Sequence, residues 1–366
     1  MDLDKDFLNS IEELLKYYKE KEVERENLLK TLTETIYKIK PEFFLNLETK
    51  PHYNFGRFTE PFKKRKISLK ENFEYTIAAV DGSRITINEE FPVPFFVIQT
   101  ACIFESILQS PQYKKDIRKK FFFKDEDIFD ERSGIEISAD AINLKMLLAE
   151  SAHLDDFIKT EQPQVALIDG SLVLWGLKKI IETAGTKEII RAYTHVLTTA
   201  KSLNIPIAGY ISGSRSKEVV KSIALFLEEH RGKLTEDTSK CINDIELMDE
   251  LLEPYEISSI FSSTEQLILE YREKIYFFFL KTKYEVARIE IPEYVYKSQE
   301  LFDLLINVVI NEIEKGDGYP NILKLAHFEA DLKKEDKNLI ESFIIQKLNE
   351  AHIFNSKYLF KLTKQI

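Results

Sequence analysis

Asp81 closes the apolar run Ile77-Ala78-Ala79-Val80 and is followed at once by Gly82, Ser83 and Arg84. A short unbroken apolar run bounded by a turn signal predicts a strand buried on both faces, with the acid at its carboxyl end, where open α/β sheets place their ligands. Gly82 in that setting permits a sharp turn and close backbone approach, and Ser83 and Arg84 both suit a phosphate. The same ending returns at Val165-Ala166-Leu167-Ile168-Asp169-Gly170-Ser171. Either acid alone reads as a turn residue capping a loop. Two core strands that end alike, and that a sheet of this order makes neighbours, point instead to converging carboxylates.

Glu150 is the third candidate. Its neighbours at helical spacing are Met146, Leu147, His153 and Leu154, so it faces the core, where an unpaired carboxylate costs several kcal/mol. A buried Lys or Arg would answer that charge; two further acids nearby favour a metal. Three carboxylates at one point suit a hard divalent cation such as Mg²⁺ or Mn²⁺. Two such ions about 4 Å apart can activate water and stabilise the leaving oxygen of a phosphodiester. His153, on the same helix face, reads first as a satisfied core histidine. Further on, Gly318-Tyr319-Pro320 precedes a helix carrying His327, with Pro320 suited to its first position. In a helix Tyr319 and His327 lie ~12 Å apart, too far to share one ligand position. His327 suits a metal shell or proton transfer, and Tyr319 suits contact with a base.

The cations form candidate phosphate contacts. Lys63, Lys64, Arg65 and Lys66 precede the Asp81 strand, and Lys114, Lys115, Arg118, Lys119 and Lys120 follow it. Two basic clusters flanking one acid-rich site are an electrostatic footprint for a polyanion, although such clusters are usually solvated surface. Gly213-Ser214-Arg215-Ser216-Lys217 adds a polar turn whose Arg215 and Lys217 suit a substrate phosphate.

The elements that must position these residues are legible in outline. Residues 3–40 predict a long amphipathic helix, with Phe7, Ile11, Leu14, Leu15 and Tyr18 in one stripe and Pro41 as its stop. It would pack on the body, a second subunit or another protein. Residues 41–73 read as irregular. Strands follow at 75–81, 92–104 and 120–129, with connections short enough for antiparallel neighbours. Ser138 caps a helix over 139–159, then come a strand at 165–171, a helix at 187–203 and a strand at 205–212. Three antiparallel strands followed by parallel ones make a ribonuclease H-like sheet. Residues 213–265 read as a mostly helical insertion, followed by strands at 275–281 and 286–291 and helices at about 298–315, 320–332 and 334–350.

Hydrophobic content of 44% and charged content of 31% describe a soluble globular chain. Its apolar runs fall short of a membrane span and its start is no signal peptide, so the cytoplasm is the default compartment. Cys102 and Cys241 lie in unrelated segments and imply neither a disulfide framework nor a zinc site. A net charge of −11 argues against coating nucleic acid by bulk charge, but leaves room for a local basic groove beside an acidic metal site.

Together, Val80-Asp81-Gly82-Ser83-Arg84, Glu150, Leu167-Ile168-Asp169-Gly170-Ser171, the Ser-Arg-Ser-Lys turn at 214–217, Gly318-Tyr319-Pro320 and Ala326-His327 resemble the NurA family of prokaryotic DNA-repair nucleases. The resemblance implies a ribonuclease H-like nuclease domain over 41–350, between an N-terminal helical segment (1–40) and a C-terminal tail (351–366). It implies a manganese-dependent site, with two ions and Mg²⁺ as the other candidate, in a chain that is often a homodimer. It further implies 5′-3′ exonuclease and single-strand endonuclease activity in the resection of DNA ends at double-strand breaks, with a HerA-type hexameric translocase as partner. Asp81, Glu150, Asp169 and His327 would be the metal ligands and Tyr319 a catalytic-site residue. Two other classes compete. An actin-like ATPase or sugar kinase also ends early strands in Asp-Gly loops, but glycine is scarce here, at 11 residues. A non-catalytic assembly subunit would use the N-terminal helix, but it would have no need of all three acids.

Overall fold

A computed structural model of the chain describes residues 5–45, 47, 54–70, 73–86, 93–108, 110–130, 133–175, 186–231, 242–264, 271 and 273–352. Cys241 and most of the 351–366 tail lie outside the described residues, as does the side chain of Phe7. In chain order come α1 (Lys5–Ile36), a 3-10 turn (Pro41–Phe44), β1 (Gly56–Phe58), β2 (Arg65–Lys66), β3 (Tyr75–Ile85), β4 (Phe96–Ile107) and β5 (Gln112–Phe122). Next are α2 (Asp125–Ile128), α3 (Ala139–Glu161), β6 (Val165–Asp169), α4 (Thr186–Ser202), β7 (Ile207–Ile211), α5 (Glu218–Arg231) and α6 (Asp244–Leu251). The last elements are β8 (Glu256–Ile257), β9 (Phe261–Ser263), β10 (Ile275–Lys281), β11 (Val286–Pro292), α7 (Glu293–Lys297), α8 (Gln299–Lys315), α9 (Asn321–Ala330) and α10 (Lys334–Glu350). The chain is therefore mixed α/β. No described helix is long and apolar enough to cross a membrane.

The chain divides into two compact units. One, the carboxylate unit, comprises residues 71–169, 174–207 and 304–366. Its strands run β6-β3-β4-β5, with β6 parallel to β3 and the other pairs antiparallel. The three antiparallel strands and the parallel neighbour anticipated from sequence are thus present, with three differences. The second strand spans 96–107 rather than 92–104. The third spans 112–122, while residues 125–128, expected to extend it, are helical. Nearly every side chain of β5 is exposed, so it lacks the apolar alternation that marks a strand; its Lys and Arg residues instead protect an edge. Most consequentially, β3 does not stop at Asp81: it continues to Ile85, paired with Val97. Gly82 is a strand residue, not a turn.

β3 therefore presents its polar residues alternately to two helices, both of which pack on β3 and β4. Ser83 Oγ donates to Ala330 O of α9, on the face that also carries Asp81. On the opposite face, Arg84 Nη1 donates to Asn143 Oδ1 of α3. α3 begins at Ser138, whose side chain accepts from Ala141 N. His153 fixes its register: Nδ1 lies 2.7 Å from Thr100 Oγ1 on β4 and Nε2 lies 3.0 Å from Asp116 Oδ2 on β5. It is the satisfied core histidine. Pro320 precedes α9 as its N-cap, one position earlier than expected, and offers no side-chain cap. Glu312 of α8 takes over: buried, it accepts from Ile322 N at 2.7 Å and from Tyr75 OH at 2.7 Å.

The other unit comprises residues 1–70, 170–173 and 208–303. Its strands run β1-β9-β10-β11-β7, all antiparallel, with β8 on β10 and β2 on β8. β1 and β2 fall within the 41–73 stretch that reads as irregular, and β8 and β9 within 213–265 alongside α5 and α6. The second half of α1 enters the core through Leu28, Leu32 and Ile36, against Val219, Ile223 and Phe279. Its first half leaves Ile11, Leu14, Leu15 and Tyr18 exposed.

Glu312 ties α9 to β3 through two bonds. Replacing it with alanine strands the Ile322 N–H and the Tyr75 hydroxyl, and unfolding in urea should register a loss of about 1–3 kcal/mol. Wild-type stability would show that the helix N-terminus is held otherwise.

Candidate metal centre

The defining contact lies between Glu150 and Gly82. Glu150 is 5% exposed, and its carboxylate rests so close to the β3 backbone that a Cβ on residue 82 would lie 2.4 Å from Oε1 and 3.0 Å from Cγ. α3 packs on one face of β3 while Asp81 points to the other. The missing side chain at Gly82 is what lets Glu150 approach Asp81. Gly82 thus serves close approach, not turning. The turn belongs to the second Asp-Gly-Ser element, where Gly170 has a φ of +100°.

Asp81 and Asp169 start on adjacent strands, since Val80 pairs with Ile168 in parallel register. Each carboxylate has a side-chain partner. His327 Nδ1 lies 2.7 Å from Asp81 Oδ2, and Tyr319 OH donates to Asp169 Oδ1 at 2.7 Å. Tyr319 and His327 indeed do not share a position; each holds a different acid. Gly82 N donates to Asp81 Oδ1 at 2.8 Å. Glu150 has no hydrogen bond or ion pair to any described residue.

The electrostatics follow. Burial pushes the Glu150 carboxyl well above the usual carboxylate range, and the charges of Asp81 and Asp169 push it further; Arg84 opposes them. Asp81 is also raised, chiefly by burial, against the pull of its bonds from His327 and Gly82 N. Three carboxyls that repel one another, one of them buried without a donor, form a set of oxygen donors. Oxygen donors suit a hard divalent ion, and Asp81, Glu150 and Asp169, with His327 beside Asp81, are the residues that could hold one. Among the described residues no group of three His, Cys, Asp or Glu side chains is drawn together closely enough to hold a metal ion.

Arg84 is half-buried and bonded to Asn143, so its charge acts on Glu150 from within the fold. Of the remaining predicted phosphate contacts, the Lys114–Lys120 cluster lies on β5 of the carboxylate unit, where Lys114 pairs with Glu161, Lys115 with Glu329 and Arg118 with Asp156, and the others belong to the second unit. Lys63 pairs with Glu60, Lys64 with the Leu251 carbonyl and Glu256, Arg65 with Asp303, and Lys66 with the Pro254 carbonyl. Arg215 is exposed and Lys217 half-buried in the turn before α5. The partners of Asp81 and Asp169 escaped sequence reasoning as partners, although Tyr319 and His327 stood out individually.

Fold and site together define a mixed α/β protein built around a carboxylate cluster suited to a divalent metal. A profile described as the NurA domain matches residues 75–332, and the chain belongs to the NurA family. Among solved structures it is similar to the crystal structure of the NurA nuclease from Sulfolobus solfataricus, with a TM-score of 0.52 and 14% identity over 79% of this chain and 88% of that one. That likeness shows the fold. A structure of Drosophila Piwi aligns with 11% identity over 68% of this chain and 28% of that one, and its TM-score of 0.27 carries no argument. No curated protein matches the sequence.

The raised Glu150 has a consequence for stability. A carboxyl whose native pKa exceeds its unfolded value contributes stability at low pH that is lost as pH rises through the native value. In metal-free protein, Glu150→Gln should match wild type below the ordinary glutamate value of 4.5 and exceed it at neutral pH, by urea unfolding. A gap that fails to widen with pH contradicts the repulsion.

Proposed function

We propose that this chain is a metal-dependent DNA nuclease. The observation that carries the proposal is the buried, donor-less Glu150 carboxylate set against Gly82 in the field of Asp81 and Asp169. A carboxylate in that position is a liability to the fold, and it makes chemical sense as part of a cation site. Membership of the NurA family over residues 75–332 and the likeness to a NurA nuclease support the same reading. The strand order β6-β3-β4-β5, three antiparallel strands and a parallel neighbour, supports a ribonuclease H-like reading of the sheet.

Bound at this site, Mn²⁺ or Mg²⁺, as two ions, would supply Lewis-acid activation of water and charge stabilisation at the scissile phosphate. The protein's own residues do the rest. Asp81, Glu150 and Asp169 provide the oxygens. An ionised Asp81 keeps the hydrogen of His327 on Nδ1, leaving the Nε2 lone pair of this exposed side chain for a ligand bond or a proton. Tyr319 fixes the carboxylate plane of Asp169, leaving its other oxygen free to coordinate. Arg215 and Lys217 contact the phosphates of the strand, with the Lys63–Lys66 cluster as a further contact. By family, the activity is 5′-3′ exonucleolytic and single-strand endonucleolytic. It would serve DNA end resection in the cytoplasm, in a homodimer that works with a HerA-type hexameric translocase.

Asp81→Asn and Asp169→Asn should reduce Mn²⁺-dependent degradation of linear DNA to background while the thermal melt stays near wild type. Undiminished cleavage by both variants would sink the proposal. Gly82→Ala should do likewise by a different route. The added Cβ displaces the carboxyl end of the Glu150 side chain rather than any backbone, so folding survives and cleavage does not. An active Gly82→Ala protein would show that the close approach is dispensable.

A further inference from the structure

The residues just after Asp169 are held by an acid that the sequence does not advertise. Glu290, on β11, is 0% exposed. Its Oε2 accepts from Ser171 Oγ at 2.6 Å and from Leu172 N at 2.9 Å, and its Oε1 accepts from Arg288 Nε at 3.0 Å. Arg288, 2% exposed, donates from Nη1 to Ser216 Oγ at 2.9 Å and pairs with Glu218 Oε2 at 2.7 Å. Ser216 Oγ donates in turn to Asp244 Oδ2 at 2.8 Å. Asp244 Oδ1 caps the start of α5 by accepting from Val219 N and Val220 N. Strand β7 closes the arrangement, with Gly209 opposite Glu290 in register. A Cβ at Gly209 would lie 2.5 Å from Gly170 O and 3.2 Å from Leu172 N, so only glycine lets the Gly170–Leu172 segment sit where Glu290 can grip it.

One guanidinium among three buried acids is a poor way to gain stability. Desolvation offsets most of the attraction, and well-packed apolar residues commonly do as well or better. What the network achieves is placement. Its two ends are the backbone that follows Asp169 and Ser216, which lies between Arg215 and Lys217. We propose that Arg288 and Glu290 are positioning residues that set the Asp169 turn for the metal and the Ser214–Lys217 turn for the DNA phosphate through one shared buried pair. The proposal rests on the nuclease reading and adds to it a physical link between metal binding and DNA binding.

The test uses the full chain and the variants Ser171→Ala, Ser216→Ala and Glu290→Gln. Mn²⁺ is titrated without DNA, with the free ion read by electron paramagnetic resonance. The affinity for a fluorescent oligonucleotide is read by anisotropy in EDTA, and melts are recorded in parallel. Ser171→Ala should raise the Mn²⁺ Kd roughly tenfold, the scale on which outer partners of metal ligands act, and leave DNA affinity unchanged. Ser216→Ala should weaken DNA binding severalfold and leave the Mn²⁺ Kd unchanged. Glu290→Gln should move both; if it does not fold, the serine variants decide. Serine variants that bind Mn²⁺ and DNA as wild type does, whatever their melts, overturn the positioning role. Wild-type protein that neither binds Mn²⁺ nor cuts DNA overturns the nuclease reading instead.

Discussion

The structure of the carboxylate unit turns on one constraint: an acid from a helix on one side of a strand has to reach an acid on the other. A strand shows successive side chains to opposite faces, so Asp81 and the helix bearing Glu150 are separated by the backbone itself. Glycine at position 82 removes the obstacle. Everything around it keeps that alignment. Ser138 starts α3, and His153 locks its register to β4 and β5. Arg84, two residues beyond Gly82, anchors α3 through Asn143, while Ser83 anchors α9 on the opposite face.

The energetic logic is that of a site held ready at the expense of stability. Burial and like charge both work against an ionised Glu150, and the attraction of a cation would offset both. Tyr319 and His327 moderate the cost by taking one oxygen each from Asp169 and Asp81. They also orient those groups. In the second unit the Arg288 network carries a similar trade, with buried charge retained where apolar packing would be simpler.

Much of this was legible in the sequence, for reasons that can be named. The apolar runs before Asp81 and Asp169 identify core strands because burial on both faces leaves no polar alternation. Glu150 stands out because helical spacing places it among Met146, Leu147 and Leu154. The extent of β3 was not legible: Gly82-Ser83-Arg84 carries the composition of a turn, and only pairing with β4 keeps it extended. β5 was displaced because an edge strand of Lys and Arg has the pattern of a solvated surface. The His327–Asp81 and Tyr319–Asp169 contacts span 246 and 150 residues, and they depend on where α9 docks, which no local pattern encodes. Glu290 and Arg288 read as ordinary strand residues for the same reason.

The central claim is that Asp81, Glu150 and Asp169 bind a divalent cation together. The most direct measurement is anomalous scattering from crystals of the full chain soaked in Mn²⁺. The account predicts anomalous density among the three carboxylates, with an oxygen of each at coordination distance from bound Mn²⁺. Ordered carboxylates with no anomalous density among them, at a Mn²⁺ concentration that supports cleavage, would contradict it.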